Sequence, residues 1–475
     1  MKKPGLLLSI ATLLVLIALL ALCVLYFGDE ATSGPIQIAL LLSTLLTAGI
    51  AILFLKVPWT KVEGDISENI RQTAPTLLIL LAIGALTATW MLSGIVPTMI
   101  YYGLKIISPR FFILITFLLC SLVSILAGSS WTTVGTIGVA MLTAGKLIGL
   151  PVGWLAGAVI SGAYLGDKLS PLSDAVNLSA TVAGSDLYKY IRYSLHTLIP
   201  AFIICFAVYL TVGFTLPVTA QADMSAELAA ISGTFNISPW LLLIPCLTLF
   251  MVFKKVPAFL TLFVSGLFAA IIALWAQPQI VQQIAGEGTG LGTALSSVFT
   301  MMSSPVSIST GHPLMDNLAS TRGMAGMVNT VWLIICIMAA GGALAGSGML
   351  ETITGALIRL IRGAGSLVAT TVGTCIVSNM ILSDQYMAIL LPGKMFAPTY
   401  KRLGYAPELL SRTLGDSATV TSVLVPWNTC AVIQSTVLGV ATMAYFPFAV
   451  FCLITPVIAI VIAAFNFRIH RINNY

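Results

Sequence analysis

Six uninterrupted apolar runs, Leu6–Phe27, Ile36–Leu55, Phe111–Ala127, His196–Leu216, Val331–Ser347 and Met443–Phe465, constrain this chain more than any motif in it. Each approaches the length of about 20 residues that an α-helix needs to cross a bilayer. In hydrocarbon the backbone must satisfy its own hydrogen bonds, so such runs are helices. With the weaker runs counted, about eleven to thirteen spans are predicted. The chain is 58% hydrophobic and 8% charged, whereas soluble domains carry about a quarter charged residues. The fold class expected is therefore an all-α, polytopic membrane protein. Leu20-Ala21-Leu22-Cys23 faintly resembles a lipoprotein processing site after Lys2 and Lys3, but Leu22 is too large for a cleavage position. The first run reads as a retained span.

The net charge of +6 is scattered instead of forming a stripe, which excludes a nucleic-acid partner. The basic residues report orientation. Lys56, Lys61 and Arg71 follow the second run, Lys254 and Lys255 separate two later ones, and Arg468 and Arg471 lie near the end. By the positive-inside rule these positions, and both termini, are cytoplasmic. Segments 215–239 and 256–321 contain no Lys or Arg, which suits an external face at Thr215–Pro239 and at Gln277–Gly311. Eight cysteines lie dispersed in apolar stretches without CxxC spacing, and His196, His312 and His470 form no cluster. Membrane packing accounts for the cysteines, and no metal centre or cofactor is expected.

The halves of the chain resemble each other. Ser93-Gly94 matches Ser347-Gly348, Leu104-Lys105-Ile106-Ile107 matches Ile358-Arg359-Leu360-Ile361, and Ser129 matches Ser383, all at an offset of 254. After a deletion of five, Gly166-Asp167 meets Gly415-Asp416. The predicted organisation is an N-terminal pair of spans (1–72), a first transport repeat (73–216), a connector with scaffold spans and an external loop (217–322), and a second repeat (323–475). Lys105 and Arg110 follow a span that starts inside, Arg359 and Arg362 one that starts outside, so the repeats are expected to be inverted. Broken helices and re-entrant hairpins from inverted repeats that meet at the membrane midplane are a transporter architecture. GEGTGLG at 286–292 follows no strand and is not a dinucleotide loop.

Four polar segments interrupt the apolar pattern: AGSSWTTVGTIG at 127–138, GDKLSPLSDAVNLSATVAG at 166–184, LSDQYMAILLPGKM at 382–395 and GDSATVTSVLVPWNTC at 415–430. Gly and Pro release backbone carbonyls from helical bonding, which is tolerated at membrane depth where the backbone lines a cavity or is buried in protein. Carboxylate, hydroxyl, amide and carbonyl oxygens suit a hard cation. The candidate ion or substrate ligands are Ser129, Ser130, Thr132, Thr133, Asp167, Ser170, Ser173, Asp174, Asn177, Asp384, Asp416, Thr419, Thr421, Ser422, Asn428 and Thr429. Asp174 and Asp416 are favoured as the Na+ carboxylates, because no basic residue adjoins them as Lys168 adjoins Asp167. A carboxylate at mid-bilayer costs about 2.5–3.5 kcal/mol on insertion scales, so each needs a reason. One reason is structural: Asp167 pairs with Lys168 or caps a half-helix, and Asp384 does the same with Lys394. The other is functional: a carboxylate in low dielectric holds a proton readily and can exchange it for a metal ion. Lys168 and Lys394 either balance those aspartates or bind an organic anion. Gly149, Gly153, Gly157, Gly162 and Gly166 read as a helix-packing face.

On GSSWTTVGTIG, GDKLSPLSDAVNLS, SDQYMAILLPGKMF (383–396) and LSRTLGDSATVTSVLVPWNTC (410–430), the chain resembles the NhaC family of sodium/proton antiporters over most of 75–466. The resemblance implies a multi-pass exchanger of the bacterial inner membrane that moves Na+, and in some cases Li+, against H+. Relatives with these motifs also include a sodium-linked exchanger of malate for lactate, so an exchanger of small organic anions stays open, as does a homodimer. A transporter is expected, not an enzyme. An intramembrane aspartyl protease built on Asp167 and Asp416 is the remote alternative, since no HExxH occurs.

Overall fold

The computed structural model describes residues 4–216, 224–285, 290–308, 316, 320–358, 361 and 363–472. Arg359, Arg362, His312, four residues of the 286–292 glycine run and parts of both predicted external segments lie outside the described residues. Among those described, the regular structure is helical, and β pairing is limited to the isolated bridges Val306–Thr321 and Tyr405–Arg471.

Helices α1 (Leu6–Phe27) and α2 (Pro35–Leu53) form the first pair. Helix α3 (Trp59–Leu92) runs 34 residues through Pro75, so the expected boundary at residue 73 falls inside it. It turns at Ser93-Gly94 into α4 (Ile95–Ile106), with Gly94 at φ 81°. Helix α5 (Phe112–Ala127) ends at Gly128 (φ 65°), and Ser129 then caps a new start through α6 (Ser130–Thr133), a π-helical segment (Val134–Gly138) and α7 (Val139–Leu147). Next come α8 (Val152–Leu169), α9 (Asp174–Ala183) and the long α10 (Leu187–Thr215). The connector holds α11 (Met224–Thr234), α12 (Leu243–Phe253), α13 (Ala258–Ala276), α14 (Pro278–Ala285) and α15 (Leu291–Ser303). The second half holds α16 (Val328–Ser347), α17 (Met349–Ile358), α18 (Ala364–Ile381), α19 (Gln385–Arg402) and α20 (Pro407–Leu414). A π segment (Gly415–Thr419), α21 (Thr429–Leu438), α22 (Thr442–Tyr445) and α23 (Val450–Ala464) complete it.

Among the described residues eight helices are long and apolar enough to cross a membrane, ten if each of two bent pairs is one span, against the eleven to thirteen predicted. Several apolar stretches are short or broken helices. Met443–Phe465 is not one helix: Pro447 lies in a 3-10 turn (Phe446–Phe448), and α21 and α22 with that turn bend by 86°. Proline removes one helical hydrogen bond and clashes with the preceding turn.

Matched breaks recur in both halves. Gly94 and Gly348 (φ 72°) follow α3 and α16. Gly128 and Ser383 (φ 55°) precede the N-caps Ser129 and Asp384, and Gly184 and Gly439 (φ 72° and 62°) close α9 and α21 behind the N-caps Ser173 and Asn428. At the caps the register is 255, so Ser129 corresponds to Asp384, one residue on from the Ser383 the sequence match selects. Asp167 precedes its N-cap Ser173 by six residues, whereas Asp416 precedes Asn428 by twelve, so the two aspartates stand at different depths before the break. The halves interlock: α9 packs on α19 and α20, while α21 packs on α7, its preceding π segment, α3 and α16.

The glycine face of α8 is real. A Cβ on Gly162 or Gly166 would strike α5 at Phe117 to Ile125, and one on Gly153 or Gly157 would strike Phe448. Gly149 does not belong to it; it sits before the helix at φ 74°. Small residues let membrane helices approach closely, and here they hold the last turn of α8 in place.

Candidate functional site

A cavity of about 740 Å³ opens where the breaks after α5, α8 and α18 meet the middle of α3. Asn69, Gln72, Thr73 and Thr76 line it from α3. Their spacing of three and four places them on one helix face. Opposite lie Ser129, Ser130, Trp131, Thr132, Asp167, Ser173, Asp174, Asp384, Gln385 and Tyr386, with Lys255 from the α12–α13 turn.

Each polar position has a local cause. Ser129 Oγ accepts from Thr132 N at 3.2 Å and caps α6, while the Ser130 amide donates to Asp167 Oδ2 at 3.2 Å. Asp167 is buried, and its Oδ1 has no hydrogen-bond partner among the described residues. Ser173 Oγ caps α9 by accepting from Val176 N at 3.3 Å, and Asp174, the first residue of α9, is exposed. Asp384 caps α19: Oδ1 accepts from Met387 N at 3.0 Å and Oδ2 from Thr429 Oγ1 at 3.2 Å. Amides at a helix start carry partial positive charge and favour carboxylates. Asp167 and Asp384 are thus each anchored by one helix start, at α6 and α19.

The structure gathers seven of the predicted ligands at this cavity: Ser129, Ser130, Thr132, Asp167, Ser173, Asp174 and Asp384. The others stand elsewhere. Thr133 Oγ1 donates back to Ser129 O at 2.9 Å, Ser170 Oγ accepts from Leu172 N at 3.3 Å, and Asn177 Nδ2 donates to Pro171 O at 3.0 Å. Thr421 Oγ1 accepts from Asn379 Nδ2 at 3.0 Å, Ser422 Oγ donates to Thr419 O at 2.7 Å, and Asn428 caps α21 by accepting from Cys430 N at 3.0 Å. These residues, with Thr429, knit the second break together.

Asp416 does not line the cavity. It is fully buried, where its Oδ1 accepts from Lys168 Nζ and, at 3.1 Å, from Thr197 Oγ1, and its Oδ2 lies 3.8 Å from Arg412 Nε. Lys168 therefore pairs with Asp416 and not with its neighbour Asp167. Lys394 is exposed on α19, ten residues and about 15 Å of helix rise beyond Asp384, and forms no ion pair with it among the described residues. Neither lysine reaches the cavity; the cation that does is Lys255. Sequence reasoning missed Lys255, whose chain segment reads only as a basic turn, and the α3 face, whose signal was a run of amides and hydroxyls at helical spacing.

Among the described residues no three His, Cys, Asp or Glu side chains converge as a metal cluster. The cavity presents the carboxylates of Asp167, Asp174 and Asp384 beside hydroxyl and amide groups, oxygen types that suit a hard cation.

A model described as the Na+/H+ antiporter family matches residues 162–467. A Na+/H+ antiporter NhaC of Alkalihalophilus pseudofirmus is 35% identical over 417 residues, covering 88% of this chain and 87% of that one. A Na+/H+ antiporter NhaC of Bacillus subtilis is 31% identical, covering 90% and 91%. A malate-2H+/Na+-lactate antiporter of the same organism is 32% identical, covering 87% and 86%.

Proposed function

Because the chain belongs to the Na+/H+ antiporter family, we propose that it exchanges Na+ for H+ across the bacterial inner membrane, with both termini in the cytoplasm and its two halves in inverted orientation. The observation that carries this reading is the cavity itself, which Asp167 from the first half and Asp384 from the second both line among hydroxyl and amide groups. Na+ takes one of these carboxylates with Ser129, Thr132 or Ser173 and water as neutral ligands. Solute bound between two interlocked halves is reached alternately when one rocks against the other.

The cavity volume favours a second reading. At about 740 Å³ it lies in the range of small-molecule pockets, roughly 300–1,000 Å³, and Lys255 offers a cation to an organic carboxylate. The malate and lactate relative transports solutes of that class.

Purified protein in proteoliposomes under an imposed pH gradient decides between them. Uptake of Na+, and of Li+ less efficiently, without any carboxylate is the expected result. Flux that requires malate or lactate supports the second reading, and absence of Na+ flux in both arms removes the first.

A further inference from the structure

Residues 465–472 leave α23 and fold back over the turn before α20. There Ala406 N donates to His470 O at 3.1 Å and Ile472 N to Gly404 O at 2.9 Å, around the Tyr405–Arg471 bridge. The same segment reaches α10, which belongs to the other half. Tyr193 Oη donates to Arg468 O at 3.0 Å, and Arg468 Nη1 stands 3.0 Å from His196 Nε2. Arg468 holds φ 50°, a conformation that a long side chain keeps only where its surroundings impose it.

The two contacts of the His196 ring fix its hydrogens. A guanidinium only donates, so Nε2 accepts from Arg468. A carbonyl only accepts, so Nδ1, 2.9 Å from Tyr193 O, carries the hydrogen. The contact with Arg468 therefore requires a neutral imidazole. A second proton could go only to Nε2, where it would set N–H against N–H and one positive charge 3.0 Å from another. His196 is half-buried, and histidine is the side chain that gains its proton between about pH 5 and 8. The other ionisable groups at this end of α10 are Tyr193, Arg192 and Lys189 on the helix itself, His470 on the segment, and Arg412 and Glu408 on α20, which act on the Tyr193 ring. Asp416 of the π segment bonds to the adjacent Thr197, with Lys168 of α8 on its far side. Helices α5 and α23 bring no charged side chain, and Asp174 of α9 lies at the cavity. Arg468 is thus the group that meets Nε2.

We propose that His196 is a pH-dependent latch: neutral, it holds segment 465–472 of the second half against α10 of the first, and protonated, it releases that segment. The latch stands on these contacts alone, while its effect on transport rests on the sodium reading above. With Arg468 in the cytoplasm, the latch answers cytoplasmic pH. A contact that joins the halves in one state stabilises that state and opposes their rocking. Tyr193 carries the effect inward, since the ring that bonds Arg468 also lies 4.5 Å from the Arg412 guanidinium.

A spin label on a cysteine at Ile472, in full-length protein without the native cysteines, tests this at about pH 8 and about pH 5. The label should be immobile at the higher pH and mobile at the lower. His196→Gln, whose amide oxygen accepts from Arg468 at either pH, should keep it immobile at both. Arg468→Gln should also lose the response, and His470→Gln should retain it. A spectrum that is the same at both pH values in otherwise wild-type protein overturns the proposal, as does a pH response retained in His196→Gln or lost in His470→Gln. In proteoliposomes with equal pH on both sides, Na+/Na+ counterflow of the wild type should match that of His196→Gln at about pH 8. At about pH 5 it should exceed it by about 5-fold or more, the low end of coupling between two sites. Equal counterflow at both pH values overturns the proposal. Wild-type protein without counterflow overturns the sodium reading, and the label spectra then decide the latch by themselves.

Discussion

Lys168 and Asp416, 248 residues apart in sequence, form an ion pair in which neither side chain is exposed. The pair joins the end of α8 in the first half to the π segment of the second. Asp416→Asn would leave Lys168 and Arg412 buried around a neutral amide, and breaking a buried pair in this way costs about 3–5 kcal/mol. The expected outcome is a clear fall in melting temperature of the detergent-solubilised protein. An unchanged melting temperature would show that the pair does not hold the halves together.

Thr132 lines the cavity, whereas Thr421 is bonded to Asn379 and Ser417 in the second break. Thr132→Ala should raise the Na+ concentration for half-maximal flux by several-fold with little change in maximal rate. Thr421→Ala should leave that concentration unchanged. Concentration series of Na+ flux for both variants check the split, and equal effects would show that Thr132 is no ligand.

Asp167→Asn removes a cavity charge while keeping an acceptor for the Ser130 amide. Na+ flux should fall by at least ~10-fold, about 1.4 kcal/mol or more of lost stabilisation, with the melting temperature near that of the wild type. Flux within twofold of the wild type would move the cation to Asp384.

Gly166 lies against α5 so closely that an added Cβ would stand 2.6 Å from Ser124 Cβ and 2.8 Å from Ile125 N, while Gly373 on α18 has nothing within 4 Å. Gly166→Ala should cost about 1–3 kcal/mol, as overpacking does, whereas Gly373→Ala should lie within about ±0.5 kcal/mol of the wild type. Thermal unfolding of the two variants in one detergent makes the comparison.

Helices α4 and α17 each begin directly after a glycine at positive φ, Gly94 and Gly348. If the two halves are inverted, cysteines at Lys105 on α4 and Gly355 on α17, in a background without the native cysteines, should react with a membrane-impermeant thiol reagent from opposite sides. Position 105 should label in intact cells and position 355 in inverted vesicles. Labelling of both from one side would make the halves parallel.

The apolar runs, the Gly and Pro breaks and the cap at Asp384 were legible in the sequence because each acts on its own few residues of backbone, whereas Ser129, Ser173 and Asn428, read as ligands, prove to be caps as well. Leu6–Phe27 becomes a helix wherever it is placed, and Ser129, Ser173, Asp384 and Asn428 cap the helix that each of them precedes. Charge partnership is of another kind. Adjacency suggested Asp167 with Lys168, yet successive helix residues point about 100° apart, so Asp167 turns to the cavity and Lys168 to the buried cluster. Asp416 looks unpartnered in sequence because Lys168 is brought to it only by the packing of the two halves, and Thr197 only by α10. Which carboxylates face water and which face a cation was thus decided by the tertiary structure, since a charge interacts over a few ångströms of space and without regard to distance along the chain.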